Sequence, residues 1–271
     1  MRNSRRVPDS KYAGELAAFY DLDHQWRDYS SQARLVRTLA LPPGARILDV
    51  CCGSGSHAVL LARKGFRVTG VDQSGSLLAQ ARSKASAARS RISFVKQDVF
   101  TLGRRPAFFA RFDAAILLGW TLSIAAMYRR FPQLLKGVAN ALKPGGLFVF
   151  DVAMGAGFHP APRRPIRYTL PTGVKGVLDI REDERVKRPL KAFLYHWEII
   201  RLDGSPPLRV ATREVLRVTK PQEIFSRLRK FSGQFELVHR LRDYRLDRPY
   251  RRGDKNLVAV LRRLDDAREQ E

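Results

Sequence analysis

Apolar residues follow two different periods along the chain, and the change between them divides it. Across residues 46–151, short apolar runs alternate with segments in which apolar residues recur every three or four positions. This alternation is typical of parallel strands connected by helices. Beyond residue 151 the period becomes two in the segments 174–185, 192–202 and 208–218, as expected of antiparallel strands. The pattern predicts an α/β protein with a β-rich insertion after its fifth strand.

The expected fold is Rossmann-like and doubly wound, with a mostly parallel seven-stranded sheet and a small antiparallel β insertion. The expected parts are an N-terminal helical cap (1–40), the core (41–152), the insertion (153–233), and the last two strands with a carboxyl-terminal tail (234–271). Helices are expected within 11–39, with a break near 21–24, and over 74–86, 131–142 and 221–230. The proline-rich residues 159–165 are expected to form a linker.

The most informative segment runs from Arg46 to Asp72 and reads RILDVCCGSGSHAVLLARKGFRVTGVD. A strand ends near Asp49, small residues form a tight turn, a helical pattern follows, and a second strand ends at Asp72. Such a unit binds a nucleoside-containing cofactor at the carboxyl ends of parallel strands. Glycines let the backbone approach the ligand closely, and the start of the helix offers free N–H groups. Asp72 is expected to accept hydrogen bonds from ribose hydroxyls.

The glycine turn alone leaves two classes of cofactor open. Gly53, Gly55 and Ala58 match the G-x-G-x-x-G/A spacing of nicotinamide and flavin proteins, so an NAD-binding protein remains an alternative. Asp49 favours a different ligand, because a carboxylate at the end of the first strand suits a cationic group and opposes a pyrophosphate. Further strand-like runs end near Asp98 and Asp151.

Taken in order, the segments LDVCCGSGSHA, GFRVTGVDQS and LKPGG resemble those of class I S-adenosylmethionine-dependent methyltransferases, in particular the small-molecule type. The resemblance implies S-adenosylmethionine as cofactor. It places Asp49 near the methionine ammonium, Asp72 at the ribose and Asp98 at the adenine amine. The residues that it assigns to the cofactor site are Asp49, Cys51, Gly53, Ser54, Gly55, Asp72, Gln73, Gln97, Asp98, Val99, Leu118, Gly119 and Trp120.

The same resemblance implies methyl transfer to an oxygen or nitrogen of a small-molecule acceptor. It also implies that the amino-terminal helices cover the cofactor and that the insertion lies over the carboxyl edge of the sheet as an acceptor lid. A base is needed only if the acceptor arrives protonated. Tyr195, His196 and Glu198 in the insertion, and His57 on the cofactor helix, are weak candidates. For each of them a packing or surface role is the stronger interpretation, so the sequence assigns no catalytic base.

The formal net charge of +24 raises the question of a polyanionic partner. However, 38 arginines and 12 lysines are spread through all segments, which is more typical of a solvated basic surface. The fourth strand is followed by Gly119-Trp120-Thr121-Leu122 and not by an Asn/Asp-Pro-Pro-Tyr/Phe segment, which disfavours amino-methylating enzymes that use that segment. An RNA-modifying methyltransferase remains the second alternative.

The remaining expectations concern location and further ligands. Since no apolar run approaches the ~20 residues of a membrane span and the amino terminus lacks an apolar signal region, we expect a cytoplasmic protein without a membrane partner. The adjacent Cys51 and Cys52 are expected to be small packing residues. The five histidines show no metal-ligand spacing, so no metal is expected. The sequence does not indicate an oligomeric state.

Overall fold

We describe residues 12, 14–155, 162 and 164–265 of a computed structural model of the chain. These residues divide into two compact units. One unit combines the described residues of 27–158 with those of 218–265, and the other combines those of 12–26 with those of 162–217. The linker predicted around His159 lies largely outside the described residues. The roles of residues 1–40 as a cap and 153–233 as a lid stay predictions.

The described residues contain eleven strands and seven α-helices. The strands are β1 (Arg46–Val50), β2 (Arg67–Asp72), β3 (Ser93–Lys96), β4 (Phe112–Leu117), β5 (Leu142–Ala153), β6 (Ile166–Thr169), β7 (Lys175–Glu182), β8 (Leu190–Ile200), β9 (Leu208–Arg217), β10 (Phe235–Leu241) and β11 (Asn256–Arg263). The helices are α1 (Tyr20–Asp23), α2 (Tyr29–Thr38), α3 (Ser56–Arg63), α4 (Gly75–Ala87), α5 (Ala125–Arg129), α6 (Phe131–Ala141) and α7 (Pro221–Arg229).

The larger unit is built on a seven-stranded sheet in the order β10-β11-β5-β4-β1-β2-β3. The strands β3, β2, β1, β4 and β5 are mutually parallel, whereas β11 runs antiparallel to β5 and β10 antiparallel to β11. The predicted Rossmann-like sheet is therefore confirmed, including its last two strands. In this order the carboxyl ends of β1, β2 and β4 meet at one edge, which is where ligands bind in such sheets.

Both faces of this sheet are covered by apolar side chains, as parallel strands require. Successive residues of β1 point to opposite faces: Leu48 and Val50 belong to one buried cluster, and Ile47 belongs to the other. The first cluster includes Leu134 and Val138 of α6, and the second includes residues of α2 and α3. The two clusters fix the strands rigidly and leave the loops at their carboxyl ends to carry polar groups.

The helix boundaries follow local capping signals, with one departure from prediction. Ser74 caps α4 by accepting a hydrogen bond from the Leu77 N–H at 3.3 Å, as the sequence predicted. In the amino-terminal region, a 3₁₀ helix (Gly14–Phe19) leads directly into the four-residue α1. The break extends to Asp28, whose side chain caps α2 by accepting from the Ser31 N–H at 2.9 Å. The sequence placed this break too early because it did not recognise Asp28 as the cap.

The smaller unit contains an antiparallel sheet in the order β6-β7-β8-β9. The three longer strands match the period-two segments, whereas the four-residue β6 was not predicted because it follows a proline-rich stretch. One face of the sheet is buried by Tyr195 and Trp197 of β8, and Phe19 packs on this face with its ring centroid 5.3 Å from that of Trp197. Gly176 is required there, since an added Cβ would lie 2.6 Å from the Phe19 ring.

Candidate functional site

The turn that follows β1 is built from residues in left-handed backbone geometry. Cys51, Gly53 and Gly55 have φ angles of 58°, 55° and 77°, and Gly55 is the residue that precedes α3. A Cβ at Gly55 would lie 2.9 Å from the Ala81 Cβ and 3.1 Å from the Phe94 ring. Only glycine satisfies both the left-handed backbone and the close packing at this position. The turn therefore carries little side-chain bulk at the edge where β1 and β2 end.

Asp49 lies directly beneath this turn. Its side chain is 1% exposed, it accepts a hydrogen bond from the backbone N–H of Ala58, and its Oδ2 has no hydrogen-bond partner among the described residues. Burial, reinforced by the nearby Asp72, raises the pKa of Asp49 to about 8. A buried acceptor without a donor is costly, so this oxygen is prepared for a hydrogen-bonding cation that a ligand would supply.

Asp72 closes the same turn from the end of β2. Its Oδ2 accepts from the Gly53 N–H at 2.9 Å, and its Oδ1 accepts from the Ser74 N–H at 2.8 Å. Burial raises the pKa of this half-buried carboxyl although three backbone N–H groups, including that of Gln73, favour its charged form. Each carboxylate oxygen can accept a second hydrogen bond, so Asp72 retains capacity for ligand hydroxyls while its backbone bonds fix its orientation.

The residues after β3 form the next part of this edge. Gln97 donates to the Thr101 hydroxyl at 3.2 Å, but within the described part of the chain its buried Oε1 has no hydrogen-bond partner. The Asp98 side chain is 45% exposed and caps the following 3₁₀ helix through the Phe100 N–H at 2.9 Å. Of the two other predicted residues here, Gln73 is exposed and Val99 is buried in the core.

The turn after β4 is also left-handed, with φ angles of 82° at Gly119 and 61° at Trp120. Asp151, at the end of β5, accepts from both backbone N–H groups, at 3.0 Å from Gly119 and 2.7 Å from Trp120. A Cβ at Gly119 would lie 2.7 Å from Nη1 of Arg27. Glycine at this position therefore allows the Arg27 guanidinium to lie against the turn. The preceding Leu118 is buried.

A chain of buried hydrogen bonds extends from Asp151 to helix α3. Tyr244 donates to Oδ2 of Asp151 at 2.5 Å and accepts from Nε2 of Gln32 at 2.9 Å, while Nε2 of His57 lies 2.5 Å from Oε1 of Gln32. Burial, together with Arg27, lowers the pKa of His57 to about 3. His57 is thus a neutral donor to Gln32, and not a base exposed to a substrate.

The sequence analysis did not identify most residues of this hydrogen-bonded series, nor the neighbouring Arg27. Arg27, Gln32 and Tyr244 stand in no recognisable motif and come from distant parts of the sequence, and Asp151 was noted only as the end of a strand. A carboxylate at the end of β5 was the one available signal, because buried charge requires partners.

The three base candidates predicted in the insertion belong to the smaller unit, and they divide between the two faces of its sheet. Tyr195 is buried and donates to Glu214 at 3.1 Å, and burial together with that carboxylate strongly raises the pKa of its phenol. His196 and Glu198 lie on the opposite face, where His196 is exposed and Glu198 is paired with Arg209 at 2.9 Å. The prediction that His196 and Glu198 share a face agrees with the register of β8.

The remaining features of the described residues are the two cysteines, the potential metal ligands and the apolar character of the helices. Both cysteines are free, and Cys52 packs beside Gly70, where an added Cβ would lie 2.8 Å from its sulfur. Among the described residues, no group of three or more potential ligands could hold a metal ion. None of the described helices is both long and apolar enough to span a bilayer.

The site of the larger unit thus combines three acidic side chains, a turn of low bulk and, among the described residues, two unpartnered acceptors at a single sheet edge. Asp49 and Gln97 each present a buried oxygen without a donor, while Asp72 and Asp98 present carboxylates that are partly accessible. Acceptors of this kind suit a ligand with cationic, amine and hydroxyl donors. They oppose a phosphate at the same position, because a phosphate would meet oxygen acceptors there and, wherever Asp49 is ionised, a like charge.

Comparison with known proteins gives the same region. Residues 47–146 match a family described as a methyltransferase domain. The chain is 36% identical over 137 residues to the Bacillus subtilis methyltransferase-family protein YqeM, covering 51% of this chain and 53% of that protein. It is 37% identical over 149 residues to the Streptomyces fradiae dTDP-3-amino-3,6-dideoxy-alpha-D-glucopyranose N,N-dimethyltransferase, covering 53% and 55%. The chain spans about half the length of the curated relatives it matches.

Among solved structures, similarity extends over most of the chain. An S-adenosylmethionine-dependent methyltransferase from Clostridium acetobutylicum aligns with a TM-score of 0.71 and 17% identity, covering 91% of this chain and 96% of that one. At this level of identity the likeness establishes the fold alone. The family match and the shared fold both include β1 and β2, the strands on either side of the glycine turn.

Proposed function

We propose that the chain is a class I S-adenosylmethionine-dependent methyltransferase, since residues 47–146 match a methyltransferase-domain family, and that it transfers a methyl group from S-adenosylmethionine to a nitrogen or oxygen of a small-molecule acceptor. The observation that carries this proposal is Asp49, whose buried Oδ2 lacks a partner beneath the glycine turn. A positively charged methionine moiety supplies the donor that this oxygen needs. A dinucleotide would instead place a pyrophosphate against the same carboxylate.

The other residues at this edge fit the parts of the same cofactor. Asp72 would hold the ribose hydroxyls, since its orientation is fixed by Gly53 and Ser74. The unpartnered Oε1 of Gln97 and the accessible carboxylate of Asp98 would accept from the adenine amine. Arg27 would bind the methionine carboxylate, because its guanidinium lies beside Gly119 in the same unit.

The chemistry asks for positioning more than for acid or base groups. S-adenosylmethionine would supply an electrophilic methyl group on its sulfonium. The sulfur would leave as a neutral thioether when the methyl group passes to the acceptor. The protein's contribution is to hold the donor in line with the acceptor, which in favourable cases is worth roughly 7–11 kcal/mol. The left-handed turn after β1 suits this role because it presents backbone and small side chains at the sheet edge.

A nitrogen of an amino sugar is the first acceptor to test, since one relative is named for dimethylating such a sugar nucleotide. The experiment supplies methyl-labelled S-adenosylmethionine with fractionated small-molecule extracts, dTDP-amino sugars and total RNA in parallel. We expect label in small molecules with the wild type. We expect it also with Asp203→Asn, which changes an exposed carboxylate in a surface turn, but not with Asp49→Asn. Label in RNA alone would contradict the proposal.

A further inference from the structure

Two turns frame the donor site proposed above, and each holds one non-glycine residue in left-handed geometry, Cys51 after β1 and Trp120 after β4. Trp120 has a φ of 61°, a left-handed conformation that residues other than glycine adopt only at an energetic cost. Such strain persists only where surrounding contacts over-determine it. The contacts are present: Asp151 accepts from the backbone N–H groups of Gly119 and Trp120, and the indole Nε1 of Trp120 donates to Asn256 at 3.0 Å.

Tyr244 closes these contacts into a ring. Its hydroxyl donates to Asp151 and is also hydrogen-bonded to the side chain of Asn256. Asp151 is fully buried, so its orientation depends on these partners. The side chains of Asp151, Tyr244 and Asn256 thereby join the turn and the connection that carries Tyr244 to the end of β5 and the start of β11, two strands that also pair through their backbones.

The side chains in this series of hydrogen bonds all donate in the same direction, from α3 toward Asp151. His57 donates to Gln32, Gln32 donates to Tyr244, and Tyr244 donates to Asp151. Aligned hydrogen bonds of this kind strengthen one another in a buried environment. Because His57 lies on the first turn of α3, the chain connects the helix behind the glycine turn with the turn after β4.

From this arrangement we infer that Asp151 and Tyr244 are positioning residues, which hold the Gly119–Trp120 turn and tie it to the start of α3, so that the two walls of the donor site are fixed together. Neither residue is needed to touch the ligand. The inference rests on the proposed function for the identity of the ligand, but the geometry of the turn is testable without it.

The test uses Asp151→Asn and Tyr244→Phe, with Tyr250→Phe as the matched control. Tyr250 belongs to the same β10–β11 connection and packs at the edge of the core, outside the hydrogen-bonded chain. Protein labelled with 5-fluorotryptophan gives three fluorine resonances, from Trp26, Trp120 and Trp197, and Trp120→Phe assigns one of them. Calorimetry with S-adenosylhomocysteine and thermal melting of each variant accompany the spectra.

We expect Tyr244→Phe to move the Trp120 resonance while those of Trp26 and Trp197 stay in place. We expect it to raise the Kd for S-adenosylhomocysteine about tenfold, the scale of one lost hydrogen bond to a charged group. Asp151→Asn should do both more strongly, and Tyr250→Phe should do neither. A role in stability alone would lower the Tm and leave the resonance and the Kd of the folded protein unchanged, and that result would overturn the inference.

The two proposals fail in different ways. A wild type that binds no S-adenosylhomocysteine would overturn the proposed function, and the Trp120 resonance would then decide alone whether the chain holds the turn. A wild type that binds, with Tyr244→Phe binding equally well, would overturn the positioning role and leave the proposed function intact.

Discussion

The pH dependence of donor binding should follow the ionisation of Asp49. Burial and the neighbouring Asp72 raise the pKa of Asp49 to about 8 in the ligand-free protein. A positively charged methionine ammonium favours the ionised carboxylate, so binding at neutral pH must release the proton that Asp49 carries. Below its pKa, each pH unit should weaken binding about tenfold, or about 1.4 kcal/mol. Between pH 8 and pH 6 the loss should be about fifty-fold.

The neighbouring cysteines and His57 do not obscure the loss of affinity that we expect between pH 8 and pH 6. Burial raises the pKa of both thiols, Cys51 and Cys52, well above neutrality, and burial lowers that of His57 to about 3. None of the three therefore titrates between pH 6 and pH 8. Burial raises the pKa of Asp72 as well, and any change in its ionisation or in that of the ligand is common to the wild type and the Asp49→Asn variant.

Calorimetry with S-adenosylhomocysteine in buffers of different ionisation enthalpy measures both the affinity and the protons released. Asp49→Asn is the control, because it keeps the contributions of Asp72 and of the ligand but removes that of Asp49. We expect most of the proton release at pH 7 to disappear in this variant. Equal affinity of the wild type across pH 6–8, with no proton release, would refute the assigned role of Asp49.

Further predictions concern stability and the rest of the site. The folded-state pKa of Asp49 is raised to about 8, so its neutral form stabilises the ligand-free protein. This stabilisation is complete below about pH 4 and is lost as pH rises through about 8. Asp49→Asn should therefore raise the Tm more at pH 8 than at pH 4. Asp72→Ala should weaken S-adenosylhomocysteine binding by roughly 1.5–3 kcal/mol, and unchanged affinity would reject the ribose role. Arg27→Met should weaken S-adenosylhomocysteine but not methylthioadenosine, which lacks the amino acid; equal losses would reject a carboxylate contact. Gly55→Ala should lower the free energy of unfolding by at least about 1 kcal/mol, because of its φ of 77° and a Cβ contact of 2.9 Å; urea melts check this.

The fold and the positions of the acidic residues beside the glycine turn were predictable, because both follow from local sequence patterns. The apolar runs around Ile47 and Val68 and the glycines between them specify a strand, a turn and a helix within a few residues. Asp49 and Asp72 could be placed because each ends a strand, and the carboxyl ends of adjacent parallel strands meet. Ser74 was recognisable as a helix cap from its position before an apolar period.

The hydrogen-bonded chain was not predictable, because its members meet only in three dimensions. Gln32 and Tyr244 are separated by 212 positions, and no spacing rule relates them. Asp28 was missed as a cap because the aromatic and charged residues before it resemble a continuing helix. The acceptor pocket stays a prediction for the same reason, since periodicity gives the strands of the insertion but not the surface they form.

The most direct test of the central claim is a titration of the wild-type protein at pH 8 with S-adenosylhomocysteine and, separately, with NAD. The claim is that Asp49 and Asp72, on either side of a turn of low bulk, form a site for the methionine and ribose parts of one nucleoside. We predict saturable one-to-one binding of S-adenosylhomocysteine and none of NAD. Binding of NAD without binding of S-adenosylhomocysteine would contradict the account.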